Sequence, residues 1–107
     1  MSEILKSIRA HSQPERVRTI DVPEWGEVIH YRMVTLADMH ETQRAAPENP
    51  VRQEAELICL KALKQDGTPM FKRIDVLVLL EEADPVVVRR IANAMIGRKS
   101  ADDIEKN

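Results

Sequence analysis

At 107 residues the chain has the size of one domain, long enough for one modest core and too short for two. Its 16 basic and 18 acidic residues give a net charge of −2, without the surplus of Lys and Arg that phosphate binding needs, so nucleic acid is not expected as the main partner. Aromatics make up only 3%, so the core must be built from Leu, Ile, Val, Ala and Met, which suits packed helices better than a large β-sandwich.

No secretory apolar stretch follows Met1, and the longest apolar run, Val76 to Leu80, falls far short of the ~18–20 residues of a membrane span. The single cysteine, Cys59, has no internal disulfide partner. A reducing cytoplasm and no membrane association are therefore expected.

In chain order, Ile4, Leu5 and Ile8 predict a short helix over Ser2–Ala10, and His11-Ser12-Gln13-Pro14 breaks it. From Arg16 to Val34 the texture is β. Val17, Thr19, Ile20 and Val22 precede Pro23-Glu24-Trp25-Gly26, and Val28, Ile29, Tyr31, Met33 and Val34 follow it, which predicts a hairpin. A two-stranded hairpin is marginal alone, so one face must rest on helices or on another chain.

Thr35, with Asp38 three residues on, has capping-box spacing and opens a helix expected to turn Leu36, Ala37 and Met39 inward. Pro47 and Pro50 end it, and Asn49-Pro50 starts the next. There Val51, Ala55, Ile58, Cys59, Ala62 and Leu63 form an apolar stripe, the helix reaching Lys64 with Gly67 as a left-handed C-terminal residue. Met70 and Phe71 form a short apolar anchor. Asp75 is expected to cap a helix burying Val76, Leu79, Leu80 and Ala83. Asp84-Pro85 opens a last helix whose stripe is Val88, Ile91, Ala92 and Met95, stopped by Gly97. The expectation is an α+β fold, mostly α: one domain over 1–97, with an N-terminal β-hairpin at 16–34 followed by about four helices, and a flexible C-terminal tail over 98–107.

Residues able to carry chemistry do not converge. His11, His30 and His40 lack the helical-turn spacing of metal ligands. Cys59 lies among apolar residues, where burial raises a thiol's pKa and makes it inert. The glycines form no phosphate loop, and Glu81-Glu82 and Asp102-Asp103 read as solvated acids. No catalytic, metal or cofactor site is expected, and the chain reads as a non-catalytic binding protein. Trp25 at the hairpin tip either folds back to cap the helices or projects to anchor a partner. Trp25, Tyr31, Met70 and Phe71 are the candidate contacts with a partner or a second copy. Self-association is expected from the exposed hairpin edge and the modest core.

The order of these features resembles the tail assembly chaperones encoded by long, flexible-tailed phages and prophages. Val22-Pro23-Glu24-Trp25-Gly26 and its second strand are followed by the Thr35-Leu36-Ala37-Asp38 helix start. A Leu/Ala-rich helix comes next, and Asp66-Gly67-Thr68-Pro69-Met70-Phe71 then leads into Ile74-Asp75-Val76-Leu77. The likeness spans roughly residues 17 to 97, with Lys72-Arg73 standing where the family is usually acidic or polar. It implies a short-form chaperone that binds the tape measure protein and helps recruit the tail tube protein. Such a chaperone acts in the host cytoplasm and is absent from the mature virion. It also implies that a longer, frameshifted form can exist. A structural tail or connector component of the virion is the alternative. A small DNA-binding regulator using Arg89 and Arg90 is a further one, which the acidic balance disfavours.

Overall fold

The computed structural model describes residues 2–97; the expected tail, 98–107, lies outside them. Helix α1 (Glu3–Ser12) leads into an antiparallel hairpin of β1 (Arg18–Val22) and β2 (Glu27–Tyr31), joined by a 3-10 turn at Pro23–Trp25. Four helices follow: α2 (Leu36–Ala45), α3 (Pro50–Lys61), α4 (Asp75–Glu82) and α5 (Pro85–Ile96). The fold is α+β and mostly α, as the sequence predicts.

The hairpin register pairs Ile20 with Ile29 and Val22 with Glu27. Side chains alternate between faces along a strand, so Ile20 and Val22 turn to the helices, as does Ile29, while Val28 turns out. Val22 and Ile29 are fully buried. Tyr31 joins them at 6% exposure, and its hydroxyl donates to the Ala94 carbonyl at 3.2 Å, tying β2 to α5.

The expected start signals operate as hydrogen bonds. Thr35 Oγ1 accepts from the Asp38 amide at 3.2 Å, and Asp38 Oδ2 accepts from the Thr35 amide at 2.9 Å, a complete capping box. Asn49 caps α3, and Asp84 takes the Val86 amide at the start of α5. Gly97 ends α5 with φ +84, a left-handed conformation that costs glycine little. In α5, Val87, Val88, Ile91, Ala92 and Met95 are buried, the expected stripe with one residue added. Helix α3 packs against α2, α4 and α5 and is the centre of the bundle, with Ala55, Leu57 and Ile58 inside.

Several expectations about helix faces and ends are corrected. Leu36 is 90% exposed and Ala37 is exposed; Met39 is half-buried and Thr42 is the buried residue of α2. Val51 is exposed, and Leu57 replaces it in the core of α3. Helix α3 ends at Lys61, because Ala62 turns extended and Leu63 joins the sheet. Asp75 does not cap α4 at its first amides; its carboxylate accepts from the Lys72 amide at 2.7 Å and closes the preceding turn. Leu80 faces outward. Helix α1, although capped by Ser2, buries none of its residues.

Candidate functional site

Leu63 is the pivot of the site. Its amide donates to the His30 carbonyl at 2.7 Å and its carbonyl accepts from the His30 amide at 3.0 Å, so it extends the hairpin beyond β2. The chain then reverses. Asp66 Oδ1 accepts from the Thr68 amide and hydroxyl at 3.0 and 2.6 Å, contacts that hold its carboxyl below the usual range. Gly67 takes φ +87 at the reversal, so it is the left-handed residue of this turn and not a helix cap. Pro69 bridges back to Leu63, and the Met70 amide donates to the Ala62 carbonyl at 3.0 Å. This return delivers Met70 and Phe71 to the hairpin turn.

Trp25 meets them there. Pro23 sets the 3-10 turn and Gly26, at φ +65, reverses it, its amide donating to the Pro23 carbonyl at 3.1 Å. The indole folds back and lies edge-to-face on Phe71, with ring centroids 6.5 Å apart at 81°. Trp25 is neither sunk in the core nor projecting. It is half-buried, with one side on the core and the other lining an open groove of ≈ 790 Å³. Val28, His30, Lys64, Met70 and Phe71 line the same groove. Three of the four candidate contacts, Trp25, Met70 and Phe71, are thus brought together. The fourth, Tyr31, lies inside the fold on Ala94.

The turn is anchored from below. Arg90 of α5 donates from both terminal guanidinium nitrogens to the Glu24 carboxylate, at 2.6 and 2.7 Å, and holds that carboxyl down to about 2. Arg89 faces Glu54 of α3 at 3.5 Å. The two arginines of the DNA-binding alternative therefore each carry an acidic partner.

A second apolar trough of ≈ 720 Å³ runs between α1 and the start of α2, lined by Ile8, Met33, Val34, Leu36, Met39 and Ile96. Leu36, which helical spacing places inward, lies on this surface instead. The signal was present in the crowding of Met33, Val34 and Leu36 around a helix start, more apolar residues than one face can bury. Cys59 is half-buried, and its thiol is pushed up to about 12 by that burial, with Asp75 and Glu56 adding to the effect. Among the described residues no three His, Cys, Asp or Glu side chains gather where they could hold a metal ion, and no helix is long and apolar enough to cross a membrane. The arrangement offers an apolar, aromatic-walled groove with a polar rim, suited to holding a hydrophobic side of another protein.

No family model matches the sequence, and no curated protein matches it. Among solved structures, the chain is similar in fold to the tail assembly chaperone of bacteriophage HK97, with a TM-score of 0.59 and 19% identity. The likeness covers 90% of this chain and 97% of that one.

Proposed function

We propose that this chain is a phage tail assembly chaperone that binds the tape measure protein and assists tail tube assembly without catalysis. The observation that carries the reading is the fold shared with the HK97 chaperone over nearly the whole of both chains. The ordered motifs from Pro23-Glu24-Trp25-Gly26 to Phe71 support it independently. The client's contact is the groove between Trp25, Met70 and Phe71, which takes the apolar side of an amphipathic helix. Methionine and aromatic walls adapt to many such sides, and several copies on one long client add avidity to weak single contacts. The tail tube protein is the second partner, and the chain works in the host cytoplasm and leaves before the virion is complete.

Co-expression with the tape measure protein of the same genome tests this. The reading expects more of that protein in the soluble fraction and a shared peak in size exclusion. An equally insoluble client with no shared peak contradicts it. Mass spectrometry of purified virions separates the structural alternative, which requires the chain in stoichiometric amounts.

A further inference from the structure

Helix α4 is apolar on two opposite sides, and the described residues cover only one of them. Val76 and Leu79 reach the core at 2% and 8% exposure, whereas Ile74, Leu77 and Val78 are 69%, 50% and 51% exposed. These three fall at i, i+3 and i+4 and form one outward stripe, with Leu80 at its margin. Lys72 and Arg73 precede the helix and Glu81 and Glu82 close it; all four are exposed, and among the described residues none has an ion-pair partner.

This charge order works against the helix itself. Cations at a helix N-terminus and anions at its C-terminus oppose the macrodipole. The order becomes favourable when a second helix lies alongside in the opposite direction with the same order of charges. An unrelated partner would need that order by coincidence; a second copy of this chain brings it by symmetry.

We propose that the outward faces of two α4 helices pair antiparallel across a two-fold axis centred on Leu77. In that register Ile74 faces the second copy at Leu80, Arg73 faces it at Glu81, and Lys72 faces it at Glu82. Leu77 and Val78 fill the middle of the seam. Two eight-residue helices bury less than the ~1,200 Å² at the lower limit of stable complexes, so the pair is weak and reversible. Its charged ends are solvent-exposed, so salt weakens it further. The pairing stands or falls separately from the tape measure reading, because the groove at Trp25 lies on other residues.

Sedimentation of the full chain over a wide concentration range tests the proposal. The wild type forms a dimer at high concentration that is diminished by added salt, and Leu77→Glu abolishes it. The decisive pair is Lys72→Glu/Arg73→Glu and Glu81→Lys/Glu82→Lys. Each variant alone places like charges across the axis and stays monomeric, and their equimolar mixture restores a one-to-one dimer. Circular dichroism confirms that each variant, altered only at exposed positions, keeps the wild-type helix content. A wild type that stays monomeric at every concentration overturns the proposal, even if Leu77→Glu impairs client solubility, which would assign the face to the client. A dimer that survives Leu77→Glu, or a mixture that does not associate, overturns it equally.

Discussion

Glu24 and Arg90, 66 positions apart in the chain, meet in a two-pronged ion pair with Nη1 to Oε2 at 2.6 Å and Nη2 to Oε1 at 2.7 Å. The pair fastens the hairpin turn to α5, and Trp25 is the next residue along. The contact that ties the turn to α5 is thus one residue away from the indole that meets Phe71. Both charged side chains remain partly open to water, so the pair acts more through its fixed geometry than through its strength.

The first prediction is a pH dependence. Hydrogen bonding from Arg90 holds the Glu24 carboxyl at about 2, against 4.5 for a free glutamate. A carboxyl depressed in the folded state stabilises the fold fully above its unfolded pKa, and the contribution fades as pH falls from about 4.5 toward 2. Thermal unfolding across that window should show a steeper loss for the wild type than for Glu24→Gln. The variant keeps part of the slope through Asp38. Burial of that carboxyl works against its ionisation, but the Thr35 amide and the Lys61 ammonium outweigh it and hold it low. Identical slopes for the two proteins would show that the pair contributes nothing.

A second prediction contrasts two aliphatic residues that sequence reasoning placed inside. Ile58 is fully buried on α3, so Ile58→Ala should cost ~2–5 kcal/mol in urea unfolding, from lost burial plus the cavity left behind. Leu36 is 90% exposed, so Leu36→Ala should shift stability by no more than about 0.5 kcal/mol.

The capping box gives a third. Thr35→Ala removes the acceptor for the Asp38 amide and should cost ~1 kcal/mol. Asp38 also receives Lys61 at 2.9 Å, and Lys61 donates to the Met33 carbonyl at 3.3 Å. Asp38→Ala should therefore cost more than Thr35→Ala, because it frees the Thr35 amide and leaves a half-buried ammonium without its anion.

A fourth concerns Cys59. With its thiol pushed up to about 12, almost none is thiolate at pH 8. Alkylation of the native chain at pH 8 should be much slower than in denaturant, where the thiol returns to its ordinary range. Equal rates would mean that the α3 surface opens freely around it.

The parts of the fold that were legible in the sequence are those written in local chemistry. Asp84-Pro85, the stripe from Val88 to Met95 and Gly97 specify α5 without help from the rest of the chain. Thr35 and Asp38 specify the start of α2 in the same way. What was not legible depends on which side of an element another element covers. Leu36 and Leu80 follow helical spacing, yet α3, which packs against both of their helices, leaves these two positions exposed. Leu63 continues the α3 stripe, yet pairing with His30 draws it into the sheet and shortens the helix. Trp25 shows the same limit for the site. Its two readings, folded back or projecting, differ only in whether Phe71 is near, and Phe71 arrives through the Leu63–Pro69 bridge, which no spacing announces.

Whether the Trp25–Phe71 groove holds a tape measure client is tested by binding with the groove altered. The purified chain, titrated with soluble fragments of the tape measure protein of its own genome, should form a complex by size exclusion with light scattering. Met70→Asp and Phe71→Asp variants that retain wild-type helix content should lose that complex, while Leu36→Ala should keep it. No complex with any fragment, or binding unchanged in both groove variants, would show that the groove does not hold this client.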